Sequence, residues 1–520
     1  MKIFTSEQIS LIDKATLKCQ SISDYDLVSR VAKVLRDWLN LNISFKNKKV
    51  KIFAGEGNNG NDAIALAALL GGKNITCDLF LLSPNKKRWS MTRKQLVEEL
   101  YIFGTVYVRE INSVQDIPVL ESGDIVIDGI FGTGVNRAVT GLVADVIDAV
   151  NLSGATVVSI DLPAGILAEK KSEFVNGSII HATYTLTLEF PKLCLFFKEN
   201  HKYVGEWHVM DIGLDLEIKQ SLETPFNMVD NSVVKSILKK RKKFSHKGDY
   251  GHGLLVAGSF GMGGSAILAS RAALRSGLGL LTVHVPGRLY NIMQVSVPEA
   301  ICTIDESDNI FTSCFGNDVH SIGIDSYGNE LVKYKAVAVG PGIGKAPETV
   351  AALEEILSKC DKPMVLDADA INIISSHKEL LKLVPENSIL TPHPKEFARI
   401  AGDYSDTRDG AMMQMEFSRE HKVTIVLKGA NTSISTPGGS LWFNPLGNPG
   451  MATGGSGDVL TGVVIALLAQ GYEAVDAACL ATYVHGLAGD IACKKKGMIS
   501  MNAGDIVSCL PLAWKMLDEA

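Results

Sequence analysis

Gly447-Asn448-Pro449-Gly450-Met451-Ala452-Thr453-Gly454-Gly455-Ser456-Gly457-Asp458 runs directly into the apolar stretch Val459–Leu468. Glycines and small residues open a helix there, and its first backbone N–H groups have no partner within it. Those donors and the positive end of the helix dipole make the turn a seat for an anion. One carboxylate, Asp458, stands at its mouth. It is ill suited to hold phosphate, but it can take a proton from a hydroxyl that attacks one. A plain turn with Asp458 as a cap explains part of the pattern. This many glycines before a long apolar helix exceed what a cap requires, so the stretch reads as a phosphoryl-transfer site for a nucleotide.

Upstream, other apolar runs end in loops of the same style. Gly258-Ser259-Phe260-Gly261-Met262-Gly263-Gly264-Ser265-Ala266 is a glycine-rich strand-to-helix turn. Val339-Gly340-Pro341-Gly342-Ile343-Gly344 follows a strand, as do Thr391-Pro392-His393-Pro394-Lys395-Glu396 and Lys428-Gly429-Ala430-Asn431-Thr432. Ligands of open α/β sheets bind at the carboxyl ends of strands, where each of these loops falls. Taken singly, each is also a plain turn, His393 also a rigid loop residue and Lys428 a surface lysine.

Short β-rich runs alternate with helical patterns through both halves, which predicts two α/β units in tandem, each of three layers. Expected strands in the first half are Val50–Ala54, Thr76–Leu82, Asp124–Ile127, Thr156–Ile160 and Thr183–Leu188, with helical Ala63–Leu70 and Leu142–Val150 between them. In the second half they are Leu254–Ala257, Leu280–Val285, Ala336–Val339, Met364–Leu366 and Thr424–Leu427, with helical Ala266–Arg275 after the first. The boundary is placed between Leu214 and Val233, giving domains over 1–220 and 230–520. The basic run Lys239–Lys243 beside it reads as a solvated face.

At 520 residues the chain exceeds one ordinary core. A net charge of -6 argues against a general nucleic-acid binder. No run reaches the roughly 18 apolar residues of a membrane span. The start, Met1-Lys2-Ile3-Phe4-Thr5-Ser6-Glu7, has neither a signal core nor the character of a transit segment. Nine cysteines without C-x-x-C spacing suit a reducing compartment, so the expected location is cytoplasmic.

In the first half, Ala54-Gly55-Glu56-Gly57-Asn58-Asn59-Gly60-Asn61-Asp62 follows a strand and opens a helix, again a phosphate turn, though not Gly-x-Gly-x-x-Gly. Asp128 precedes Gly129-Ile130-Phe131-Gly132-Thr133-Gly134, and Asp161 ends a third strand ahead of Leu162-Pro163-Ala164-Gly165. Each Asp is plausible alone as a helix cap. Three successive strand ends carrying Asn or Asp with glycine point to one crevice.

Together these motifs resemble a known pairing. Residues Phe244–Leu468, through His246-Lys247-Gly248 and the loops above, resemble the NAD(P)H-hydrate dehydratases of the ribokinase-like superfamily. Residues Ser6–Met210 resemble the Rossmann-like NAD(P)H-hydrate epimerase domain. The resemblance implies repair of hydrated NADH and NADPH: epimerisation of the R and S hydrates, and dehydration of the S hydrate at the cost of ADP. It assigns Lys428, Gly429, Ala430, Asn431, Thr432 and Gly457 to ADP. Ala266, Gly344, His393 and Asp458 would line the hydrated nucleotide, with Asp458 catalytic. In the epimerase half it assigns the substrate to Asn58, Asn59, Gly60, Asn61 and Asp62, then Gly132, Thr133, Gly134, Val135, Asn136, Arg137 and Ala138, and to catalytic Asp161. It implies K⁺ at Asn59, Asp128 and Ala164, and Mg²⁺ for phosphoryl transfer without naming its ligands. Two positions depart from the family: Asn61 replaces a glycine, with a risk of narrowing the turn, and Ala164 replaces a serine. Expected partners are NADH hydrate, NADPH hydrate and ADP, with no nucleic acid or membrane, in a homo-oligomer. A small-molecule kinase shares the Asp458 loop but not the set His246-Lys247-Gly248 with Thr391–Glu396. A non-catalytic role for the first half is disfavoured by Asp161 and Asn58–Asp62.

Overall fold

The computed structural model describes residues 1–82, 86–102, 104–169, 177–315 and 331–519. They form two compact units: Lys2–Phe226 with Asp406–Arg408, and Asn227–Ser405 with Met1 and Asp409–Ala520.

The first unit is built on seven strands: β1 (Val50–Ala54), β2 (Cys77–Leu82), β3 (Val106–Ile111), β4 (Ile125–Gly129), β5 (Thr156–Ile160), β6 (Tyr184–Leu188) and β7 (Glu206–Met210). All are parallel, in the order β3-β2-β1-β4-β5-β6-β7. Ile52, Ala54, Leu79, Ile127 and Ile160 feed a core on one face, while Phe53, Phe80, Val126 and Val157 feed another on the opposite face. A sheet covered on both sides is why the central strands β1 and β4 are buried along their whole length. The strand order reverses between β1 and β4, so the crevice lies at their carboxyl ends.

The second unit carries β8 (Phe226–Met228), β9 (His252–Val256), β10 (Leu280–Val285), β11 (Ile301–Ile304), β12 (Ala336–Val339), β13 (Met364–Leu366), β14 (Ile389–Leu390), β15 (Thr424–Leu427), β16 (Thr432–Ser435) and β17 (Leu441–Asn444). Their order is β11-β10-β9-β12-β13-β14-β15-β16-β17-β8. From β11 to β15 the pairs are parallel; β15, β16 and β17 form an antiparallel meander. Leu255, Val283 and Ala338 face one core, and Leu254, Val256 and Val339 the other. Both units are three-layer α/β structures, as the sequence predicts.

The helix Ser456–Ala469 is buried along almost its whole length. It crosses the helix Gly263–Arg275 closely: a Cβ at Gly462 would lie 2.1 Å from the Ala269 carbonyl oxygen. This packing fixes the end that carries Asp458. The basic run is partly tied down, since Lys239 donates to the Gly471 carbonyl oxygen at 2.6 Å and Arg241 stacks 3.9 Å over Tyr250. Several expected boundaries shift: β9 starts two residues earlier than predicted, β4 runs to Gly129, and the helix expected at Ala63 begins at Asn58.

Candidate active sites

In the second unit, Gly455 takes φ 88°, a left-handed value that suits glycine, and the helix starts at the next residue. Asp458 thus sits in the first turn. Its carboxyl is pushed up to about 6: burial is the largest cause, Asp367 the next and Asp369 a smaller one, against the Ser265 hydroxyl and Lys428. Such a group is matched to general-base work near neutral pH.

Asp458 is the one carboxylate of its own loop, as read from the sequence, but Asp367 and Asp369 face it from another strand end. Asp367 directly follows β13 and is 1% exposed. Its Oδ1 accepts from Lys428 Nζ at 2.8 Å, and its Oδ2 accepts from Thr461 Oγ1 at 2.7 Å. Burial by itself would lower the Lys428 ammonium, but the charge and hydrogen bond of Asp367, with Glu396 and Asp458 adding, hold it above its ordinary value. Ala368 follows at φ 48°, and Asp369 Oδ2 accepts from the Gly344 N–H at 2.9 Å. A Cβ at Gly340 would lie 1.9 Å from the Asp367 carbonyl oxygen, so glycine is required there. The corner Asp367-Ala368-Asp369 therefore ties together the loops after β12, β13 and β15 and the Asp458 helix. The signal for it was in the sequence, an aspartate at a strand end, the same one that singled out Asp128 and Asp161.

Gly344 has φ 79° and open space where a side chain would stand, and a Cβ at Gly457 would lie 3.4 Å from Lys428 Nζ. Gly429 and Ala430 are exposed, and Asn431 and Thr432 are half-buried. Two of the expected residues also have packing roles. The Ala266 side chain is fully buried, and its Cβ lies 3.3 Å from where a Gly258 Cβ would be, so only its main chain remains to meet a ligand. His393 caps the helix Pro394–Ala401: its Nδ1 accepts from the N–H groups of Lys395 and Glu396 at 3.1 and 3.2 Å, while Glu396 accepts from the His393 N–H at 2.8 Å. That geometry leaves Nε2, which faces Glu396 Oε1 at 3.4 Å, as the remaining ring donor.

In the first unit, β1, β4 and β5 bring Asn59, Asp128 and Asp161 to one edge. Asn59 Nδ2 donates to the carbonyl oxygens of Phe131 and Ile160 at 2.8 and 3.0 Å. Asp128 Oδ1 accepts from the Ile130 N–H, and Oδ2 from Ser159 Oγ and the Ala164 N–H. Burial pushes its carboxyl up to about 6, against those hydrogen bonds. The Ala164 carbonyl oxygen accepts from the Ile180 N–H at 2.9 Å. Gly132 lies against the site: a Cβ there would be 2.9 Å from Asp161 Oδ2 and 3.6 Å from the Asn59 amide carbon. Thr133 and Val135 are half-buried and Ala138 likewise, whereas Gly134, Asn136 and Arg137 are exposed.

Asp161 has φ 65° and accepts on Oδ1 from Lys192 Nζ at 2.5 Å and from the Leu188 N–H at 3.2 Å. Lys192 is 2% exposed and was missed from the sequence; a lysine ahead of the apolar run Leu193–Phe197 was its signal. Asp62, read as part of the phosphate turn, is buried behind it, and burial with Asp161 and Asp13 raises its carboxyl well above the usual range. The feared narrowing at Asn61 does not occur, because Asn61 is helical, not left-handed. Its Oδ1 accepts from Arg93 Nη1 at 3.3 Å, and the same nitrogen donates to the Gly55 carbonyl oxygen at 2.8 Å. A Cβ at Gly60 would lie 1.9 Å from that oxygen, so the close approach at Gly60 demands glycine.

A family model described as NAD(P)H-hydrate dehydratase matches residues 253–512, and one described as YjeF-related protein N-terminus matches residues 24–194. The bifunctional NAD(P)H-hydrate repair enzyme Nnr of Moorella thermoacetica is 35% identical, covering 91% of this chain and 88% of its own. The protein of the same name from Dictyoglomus turgidum is 32% identical, covering 99% and 98%. Among solved structures, the ADP/ATP-dependent NAD(P)H-hydrate dehydratase of Bacillus subtilis, co-crystallised with ATP and Mg²⁺, is 30% identical with a TM-score of 0.48, covering 56% of this chain and 98% of its own. With both family models matched in order and relatives alike over nearly the full length, the chain belongs to the family of bifunctional NAD(P)H-hydrate repair enzymes.

Proposed function

We propose that this chain restores hydrated NADH and NADPH, its first unit interconverting the R and S hydrates and its second dehydrating the S hydrate with ADP, to give AMP and phosphate. The observation that carries this reading is Asp458, a half-buried carboxylate in the first turn of a glycine-opened helix, facing the Lys428–Asp367 pair.

The C6 hydroxyl of the hydrate is a poor leaving group. Asp458 accepts its proton as the oxygen attacks the β-phosphorus of ADP, and AMP departs as the bridging P–O bond breaks. Lys428 and the N–H groups of Gly454–Gly457 hold the phosphoryl oxygens, with Gly429–Thr432 toward the rest of ADP. The ring nitrogen's lone pair then expels phosphate from C6, C5 gives up a proton, and the C5–C6 double bond returns. Gly344, His393 and the Ala266 main chain line the nicotinamide nucleotide in this assignment. Epimerisation falls to Asp161, oriented by Lys192, with the Asn58–Asp62 turn and the Gly132–Ala138 loop holding the phosphates and ribose.

For K⁺, the donor chemistry fits: Asn59, Asp128 and the Ala164 carbonyl group offer hard oxygens beside the substrate crevice, and the ion would supply fixed positive charge there. For Mg²⁺, no three His, Cys, Asp or Glu side chains stand together as a cage among the described residues. The ion would arrive on the nucleotide's phosphates, and no protein ligand is assigned to it. Among the described residues no helix is long and apolar enough to cross a membrane. A cytoplasmic homo-oligomer is part of this proposal; light scattering on the purified chain reads the assembly.

The decisive assay offers hydrated NADH with ADP, ATP or neither and follows the near-ultraviolet absorbance of reduced nicotinamide. Recovery with ADP, together with AMP and phosphate release, is expected. A phosphorylated alcohol as the end product would make the second unit a kinase.

A further inference from the structure

We infer that Asp367 is the positioning residue of the dehydratase site, bracing Lys428 beside the phosphate turn against the helix that carries Asp458. This rests on the assignment of Asp458 and Lys428 given above. One buried carboxylate uses its two oxygens on two different elements. Oδ1 receives Lys428 Nζ from the end of β15 at 2.8 Å, and Oδ2 receives Thr461 Oγ1 at 2.7 Å from the helix that carries Asp458, three residues further along. Glycine at position 457 leaves the space beside this pair free: a Cβ there would lie 3.4 Å from Lys428 Nζ and 3.8 Å from Asp367 Oδ2. A phosphoryl group seated on the first turn therefore meets an ammonium already aimed at it, without the ordering cost that a free lysine carries.

The same placement sets a negative charge beside the base. Asp458 is faced by Asp367 and Asp369 from the end of β13, by Lys428 from the end of β15 and by the Ser265 hydroxyl from the helix Gly263–Arg275. Glu396, from the helix Pro394–Ala401, acts on Lys428 in turn, and Lys428 acts on His485, which is half-buried on the helix Ala474–Lys496. Asp367 is the strongest charged influence on Asp458. A purely structural aspartate would support the fold without coupling these two groups.

The test compares the full-length parent with Asp367→Asn, Lys428→Gln and the double variant, reading the pH dependence of dehydration of hydrated NADH and the affinity for ADP by calorimetry. Asp458 works only when deprotonated, so the parent loses activity as pH falls through its pKa. Asp367→Asn removes a neighbouring negative charge and moves that acid limb down by about one pH unit. It also weakens ADP about tenfold, as expected when a charged hydrogen bond is displaced, and this loss vanishes in the Lys428→Gln background. An unmoved acid limb, or ADP losses that simply add, overturns the inference. Should Asp367→Asn not fold, Asp367→Glu keeps the charge and displaces it: the limb stays, ADP affinity falls, and parental ADP affinity overturns the proposal. A parent that binds ADP but never restores NADH overturns the functional reading instead, while the calorimetric comparison still decides the anchoring of Lys428.

Discussion

Lys192 and Asp161 form a buried ion pair, Nζ to Oδ1 at 2.5 Å, on a backbone turn that holds Asp161 at φ 65°. Lys192 also donates to the Leu188 carbonyl oxygen at 2.8 Å, so the carboxylate is fixed by the loop after β6 while it ends β5. Asp161→Ala is expected to leave consumption of the S hydrate unchanged while the R hydrate accumulates, read as initial rates on separated epimers. Lys192→Met should abolish epimerisation too. Stranding one partner of a buried pair costs about 3–5 kcal/mol, so each single variant should melt earlier than the Asp161→Ala/Lys192→Met double variant. An R hydrate cleared at the parental rate would reduce Asp161 to a structural cap.

Asp458→Asn keeps the shape of the base and removes its proton affinity. Dehydration should fall by about 10²–10⁴-fold, with ADP affinity retained. In the parent, burial and the aspartates around it put Asp458 at about 6, so activity should be full above that value and decline as pH falls through it. The variant should show no such limb. Near-normal turnover would remove Asp458 from the mechanism.

Much of this was legible in the residues. The strand Val50–Ala54 has the predicted bounds because a run buried on both faces stops at Gly55, whose Cβ would lie 1.9 Å from the Ile130 carbonyl oxygen. The strand Val106–Ile111 was invisible because it is an edge strand whose Tyr107, Arg109 and Glu110 face solvent. The meander β16–β17 was missed although Pro437-Gly438-Gly439 lies at its turn, because Thr432 was read only as the end of a binding loop. Lys192, Asp367 and Arg93 act on the sites from segments far away in sequence. Their partners become apparent only when parallel strands are brought side by side. His393 was flagged for its ring, yet the Glu three residues on already spelled a capping box.

At the first crevice, position 164 tests how K⁺ is held. The Ala164 N–H donates to Asp128 at 2.9 Å and its carbonyl oxygen accepts from Ile180, both contacts that a serine would make equally well. Ala164→Ser should leave the K⁺ concentration that half-activates epimerisation unchanged. The new hydroxyl enters a fully buried position, so a cost of about 1–3 kcal/mol in stability is expected if it finds no partner. A tenfold drop in the K⁺ requirement, equal to about 1.4 kcal/mol of binding, would show that the hydroxyl is a ligand the family uses and this chain lacks.

The last expectation concerns the independence of the two units. Each has its own sheet, with core side chains on both faces: Ile52 and Phe53 alternate in the first, Leu254 and Leu255 in the second. Each also brings its own strand-end loops to its own crevice, and neither catalytic assignment borrows a residue from the other sheet. A sheet with both faces covered by its own helices is what a separately folding domain requires. Fragments over residues 2–226 and 227–520 should therefore each unfold cooperatively. The first should epimerise the hydrates without ADP, and the second should consume the S hydrate alone in the presence of ADP. Mixed at equal concentration, they should clear R hydrate at the rate set by the slower step. A fragment that folds but is inactive, while the whole chain is active, would show that a site needs both sheets.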